Sequence, residues 1–314
     1  MGKSGGSEPT ATSGGGVATD HVMLGIGLIV LSMLCMSMLD AVAKHLVATY
    51  PVTQMLALRG IVTIGIMLAL MPRSGGLATI RTANLAGQIR RIGYSLAAPV
   101  LFFTALKELP LADVTVMVFG GSFFMTALSV PILGERVGIF RWSAIFIGFT
   151  GVVIAAEPTG EKFGMTTLFA VSASVAYALL MIETRRTGFQ DSVYTQTLYP
   201  AVGVTFVVWL TTPFIWVPVQ MADVGWIVLL GIFALTGHFL VYKAFSKAPV
   251  SVLAPFEYTA LIWAALFGYF IFNEVPGAQV WLGAAIIVAS GMIIVWREAS
   301  LSRSKQPTLP TMGD

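Results

Sequence analysis

Charge is what this chain has least of. Only 11% of its 314 residues are Asp, Glu, Lys or Arg, where a soluble domain carries about a quarter. That is too little to coat a water-facing surface. With 56% hydrophobic residues and a mean hydropathy of +0.85, the chain reads as an integral membrane protein whose main partner is the lipid bilayer. Cysteine is nearly missing too. Cys35 stands alone, which excludes an intrachain disulfide and a cysteine zinc motif. The three histidines are scattered, with no His-Glu-x-x-His, so no metal site is expected. No Gly-x-x-x-x-Gly-Lys-Ser/Thr loop occurs, so ATP is not expected as the direct driver, and no cofactor is called for. A pI near 9.0 does not imply nucleic acid here, because basic residues can gather in loops on one side of a membrane.

What is present is apolar sequence in lengths that fit a bilayer. A spanning helix needs about 20 mostly apolar residues. Ten such stretches fall at 21–48, 52–71, 89–108, 111–134, 139–157, 163–185, 193–216, 221–246, 249–273 and 278–297. The joints are short, so neighbours run antiparallel, and no room remains for a soluble domain. The first twenty residues are rich in Gly, Ser and Thr and lack the charged start and short apolar core of a cleavable leader. Residues 1–20 and 298–314 are expected to be disordered cytoplasmic tails. With the N-terminus in the cytoplasm, 14 of the 18 Lys and Arg residues fall on the inner side, and only Lys107 and Lys162 lie in outer loops. By the positive-inside rule both termini are cytoplasmic and the chain is a multi-pass inner-membrane protein.

The two halves repeat. "TALKELPLADV" (104–114) aligns with "KAFSKAPVSVL" (243–253), pairing Pro110 with Pro249 at an offset of 249 − 110 = 139. The same offset carries Glu135 onto Glu274 and Trp142 onto Trp281, while Gly151 meets Gly291 after one inserted residue. Five spans per unit is an odd number, so the second unit starts from the opposite side. The expected fold is all-α, ten transmembrane helices as two inverted-topology five-helix repeats, residues 21–157 and 163–297.

Each half ends its fourth span in a stretch of one kind, "SVPILGERV" (129–137) and "APFEYTALIWAALFGYFIFNEV" (254–275). These resemble the EamA-type transporters of the drug/metabolite transporter superfamily, with Asn273 where Gly would be usual. The resemblance implies an inner-membrane carrier of small metabolites, with a central cavity between the halves and alternating access. It also implies vitamins such as riboflavin, or S-adenosylmethionine, as alternative substrates.

Charged side chains inside a membrane cost about 2.5–3.5 kcal/mol each on insertion scales, so those that remain need a reason. Asp40 and Lys44 stand at i and i+4 in the first span and can pair. Arg59 in the second span lies at a depth like that of Asp40. An Asp40–Arg59 bridge locking the hairpin and an Arg59 free to hold a carboxylate or phosphate are equal readings. Glu257 in the ninth span has no basic residue within a turn, which suits a proton carrier or a seat for a substrate amine. His238 in the eighth span is at matching depth and could partner it. Tyr258 could line the same place. Glu183, Arg185 and Arg186 read as interfacial residues. Pro255 removes a backbone donor and frees the carbonyl of Ser251, while Gly120 and Gly121 weaken the corresponding span of the first half. All three are expected at helix breaks lining the cavity.

Two rivals remain. Ser122 with His238 would make a distant case for an intramembrane hydrolase, but no Gly-x-Ser-x-Gly is present. A channel would need rings of charge or carbonyls, which do not recur. The expectation is a non-enzymatic secondary transporter of an amino acid or related zwitterion, with the proton as its candidate coupling ion. Glu257, Arg59, Asp40, Tyr258, His238 and Lys44 would bind or couple.

Overall fold

The computed structural model describes residues 14–74, 76, 80–135, 137–157, 164–187 and 191–304. They form helices α1 (Gly14–Val47), α2 (Val52–Leu70), α3 (Leu85–Ala105), α4 (Leu111–Phe119), α5 (Gly121–Leu133) and α6 (Ile139–Ala156). The chain continues through α7 (Met165–Thr187), α8 (Val193–Thr211), α9 (Val224–Lys247), α10 (Val250–Glu257), α11 (Thr259–Phe272) and α12 (Ala278–Ser304). No strand occurs among the described residues.

Nine segments of the described residues are long and apolar enough to cross a membrane. The stretch expected to span at 89–108 falls in α3, which is not among the nine because Gln88, Arg90 and Arg91 polarise its first turns. Large apolar side chains face outward, with Phe146, Phe206, Phe270 and Trp296 each about two-thirds exposed or more. A water-facing surface would not carry so many, whereas lipid accepts them.

The tails expected at 1–20 and 298–314 give way to helix at their inner ends. α1 already begins at Gly14 and α12 runs on to Ser304. Residues 1–13 and 305–314 lie outside the described residues.

Local sequence explains the helix ends. Pro51, Pro110 and Pro249 stand at the entries of α2, α4 and α10 in extended conformation. Their fixed φ sets the entry angle and each lacks an N–H that would need a partner. Asn84 and Ser192 cap α3 and α8, accepting N–H bonds from Gly87 and Thr195 at 2.9 and 3.1 Å. α5 ends on Gly134 (φ 70°) and α11 on Asn273 (φ 53°), both left-handed. Asn is the side-chain-bearing residue that most readily replaces glycine there.

The two stretches expected as fourth and ninth spans are each broken in two. α4 passes to α5 at Gly120 (φ −57°, ψ −19°), and α10 passes to α11 at Tyr258 (φ −63°, ψ −12°). At both breaks the ladder tightens to an i→i−3 bond, Phe123 N–H to Gly120 O and Leu261 N–H to Tyr258 O.

Helices pack mainly across the sequence midpoint: α1 on α9, α3 on α7, α2 on α8 and α6 on α12. Where α6 crosses α12, the backbones touch. A Cβ at Gly151 would stand 2.9 Å from Gly283 O, and one at Gly283 would stand 2.5 Å from Gly151 O. The hydroxyl of Ser290 donates to Ala144 O at 2.6 Å in the same crossing. These contacts obey one offset, since 290 − 151 = 139 and 283 − 144 = 139. Gly151 therefore corresponds to Ser290, with no inserted residue. Gly291 instead receives the Tyr258 hydroxyl.

Candidate functional site

Lys44 lies in the last turn of α1, next to the end of α11. It does not turn back to Asp40. It forms an ion pair with Glu274 and donates to Leu109 O at 2.7 Å, and its ammonium stands 5.3 Å from the centre of the Phe272 ring. Glu274 also accepts the N–H of Leu111 at 2.9 Å, capping the start of α4. Three partners at the helix end outbid one carboxylate a turn away on the same helix. Glu274 is aimed by the reversal after α11, where its own N–H returns to Gly268 O at 2.9 Å. Glu274 serves the alignment only as a landmark, so its partnership with Lys44 was missed. Its place in the repeat was the signal.

Deeper in, Asp40 on α1 and Arg59 on α2 lie within electrostatic reach of one another. They do not close to an ion pair within 4.0 Å. His238 on α9 lies in the field of Arg59 and donates from Nδ1 to Ala234 O at 2.7 Å. A carbonyl can only accept, so Nδ1 carries the proton. Asp40, Arg59 and His238 thus gather around α1, α2 and α9. Ser32 ties α1 to α9, its hydroxyl donating to Gly237 O at 2.8 Å.

Glu257 belongs to a different group. It ends α10, next to Tyr258, where the chain passes into α11. The expected partnership with His238 is not formed, because His238 turns to its own helix and towards Arg59. Tyr177 packs beside Gly121, where an added Cβ would stand 3.4 Å from its ring. Tyr177 comes to this place because α7 packs on α4 and α5, the two parts of the first broken helix.

Gly120 and Gly121 do not line a cavity. Both are buried, Gly120 against Val152 of α6 and Gly121 against the Ser174 carbonyl of α7. Their lack of a side chain lets three helices meet at the break. Pro255 lies within α10, and the break comes three residues later. Tyr258 turns away from α7, its ring 5.3 Å from that of Phe119 and its hydroxyl against Gly291. Ser122 is exposed, and its hydroxyl donates to Phe119 O at 3.0 Å. No hydrogen bond joins it to His238.

Polar clamps close the loop ends around this interior. At one end Tyr50 donates to Asp223 at 2.6 Å, and Gln54 exchanges two bonds with Val217. At the other, Asp191 accepts from Thr82, the Ala83 N–H and Gln88. Burial opposes ionisation of Asp191, but these bonds and the charge of Arg91 outweigh it and hold its carboxyl below the usual range. Glu183 is not merely interfacial: it is buried between α3 and α7 and pairs with Arg90 at 2.6 Å.

The model of the EamA-like transporter family matches residues 23–156 and again residues 164–296. The chain belongs to the EamA-like transporter family. Among similar proteins is the S-adenosylmethionine uptake transporter of Rickettsia bellii, 27% identical over 283 residues, covering 90% of this chain and 97% of that protein. The riboflavin transporter of Vibrio cholerae is 26% identical, over 91% and 97% of the two chains. The pseudopaline exporter CntI of Pseudomonas aeruginosa is 25% identical, over 91% and 99%. A solved crystal structure superposes with a TM-score of 0.64 at 16% identity, covering 90% of this chain and 99% of that one, a likeness of fold alone. As an EamA-like protein, the chain is a multi-pass membrane transporter.

Proposed function

We propose that this EamA-like protein is an inner-membrane secondary carrier that moves an amino acid or a related zwitterion by alternating access. The observation that carries this reading is a pair of under-neutralised opposite charges on different halves. Arg59 stands on α2 and Glu257 at the end of α10, and neither forms an ion pair within 4.0 Å among the described residues. Arg59 would take the carboxylate and Glu257 the amine or a coupled proton, with Asp40 and His238 tuning Arg59. Lys44 is reassigned from substrate to the closure of one end.

The two halves act as inverted repeats of five spans, with α3 as the tenth span and both termini in the cytoplasm. Contacts that recur under exchange of the halves support this. α1 on α11 mirrors α7 on α5, α2 on α9 mirrors α8 on α3, and α1 on α10 mirrors α7 on α4. A second reading, a substrate bearing a flat ring such as riboflavin or S-adenosylmethionine, is favoured by Tyr258, next to Glu257 in sequence, whose ring stands 5.3 Å from that of Phe119.

The test is uptake and counterflow of labelled amino acids, S-adenosylmethionine and riboflavin in proteoliposomes, with and without a pH gradient. Saturable flux with counterflow supports a carrier. Unsaturable flux would point to a channel, and substrate cleavage to a hydrolase.

A further inference from the structure

The two ends of the molecule differ where the repeat makes them equivalent. Pro110 and Pro249 stand before α4 and α10 in the same backbone conformation, φ −57°, ψ 146° and φ −60°, ψ 146°. Glu135 and Glu274 each follow a left-handed residue that ends α5 and α11. Each broken helix therefore offers a bare start and a carboxylate just past its end. At one end these parts meet across the halves: α11 packs on α4, Glu274 takes the Leu111 N–H, and Lys44 seals the contact. At the other end α5 makes no packing on α10 to match that of α11 on α4, Glu135 is exposed, and Pro249 brings no capping side chain to the start of α10. Arg185, in the last turn of α7 as Lys44 is in that of α1, is exposed and forms no ion pair among the described residues.

We propose that Glu274 and Glu135 are reciprocal latches, each capping the opposite half's broken helix in one of two alternating states. In the state seen here Glu274 caps α4 and the Glu135 end is open. In the other, Glu135 takes the Val250 N–H with Arg185 beside it, and Glu274 lets go. A carboxylate at a helix start gains from the unpaired N–H groups and the dipole there, so each closure is held by charge. The latch rests on the alternating-access reading above and adds which residues bias it.

Distances between spin labels test it in the full chain, with Cys35→Ser, in lipid nanodiscs and without substrate. Labels at Lys107→Cys and Val275→Cys report the Glu274 end, and labels at Ile132→Cys and Lys247→Cys report the Glu135 end. The parent should be short at the first pair and long at the second. Glu274→Ala and, independently, Lys44→Met should each raise the population with the first pair apart and the second together, by about tenfold, equivalent to ~1.4 kcal/mol. Adding Glu135→Ala to Glu274→Ala should remove that gain. Elution as a single species and unchanged helical circular dichroism confirm folding. Parental distances in both Glu274→Ala and Lys44→Met overturn the latch, as does a gain that survives Glu135→Ala. Because no substrate is used, shifted distances in a protein that carries nothing would leave the latch standing and sink the transport reading alone.

Discussion

The two broken helices share a backbone and not a chemistry. Both enter behind a proline, tighten to one i→i−3 bond midway, and end left-handed before a glutamate. Yet at the break one carries Gly120-Gly121, buried against α6 and α7, and the other carries Phe256-Glu257-Tyr258. The duplicated part is the scaffold, fixed by backbone geometry. The part that is not duplicated is free to differ in side chain without changing that shared backbone.

The largest expected effect separates these roles. Glu257→Gln keeps the shape and removes the charge, so the proton-driven component of flux should disappear, and amine-bearing substrates should lose roughly tenfold to a hundredfold in apparent affinity, the scale of a hydrogen bond to a charged group. Proteoliposome flux with an imposed pH gradient measures both, and survival of pH-driven flux removes Glu257 from the coupling role. On the scaffold side, Gly120→Leu drives a side chain into Val152, where a Cβ alone would stand 2.6 Å from Cγ2. It should cost about 1–3 kcal/mol of stability, the usual penalty of overpacking. Thermal unfolding in detergent reads this loss, which should come without a change in substrate preference.

The helix ends give a smaller contrast. Gly134→Val and Asn273→Val should each cost about 1–2 kcal/mol, because both positions are left-handed, while Asn273→Gly should be nearly neutral. Equal losses at the two positions would sharpen the equivalence of the breaks, and a loss at only one would break it. The smallest effect falls at Asp191. Its carboxyl is held below the usual 3.8, so the stability it contributes is present above that value and is lost as pH falls through the lower folded value. Asp191→Asn should flatten the acid limb of the stability curve below about pH 4, and an unchanged acid limb would mean that the Thr82–Gln88 clamp does not hold a charge.

Much of the architecture is legible before any coordinates. Apolar stretches of bilayer length mark the helices, and the recurrence of Pro110 with Pro249 and Glu135 with Glu274 sets the register of the halves. The weakness at Gly120 is legible because glycine has one structural meaning in a helix. The break at Tyr258 is harder to see, because Pro255 draws attention one turn too early. The site is less legible still. Asp40, Lys44, Arg59, His238 and Glu257 stand out by cost alone, but their partners are not sequence neighbours. Lys44 has a carboxylate at i−4 and takes another from the far half. His238 matches Glu257 in depth and yet serves the field of Arg59.

Sequence by itself determined that this protein lives in a bilayer and that its apolar stretches fall in two matching sets. Those properties depend on composition and on local backbone preference, which act over a few residues. Only the tertiary structure decided which charges meet, as Lys44 meets Glu274 and Arg90 meets Glu183. Such contacts depend on how helices far apart in the chain cross, and in low-dielectric surroundings an ångström of crossing geometry decides which ion pair wins.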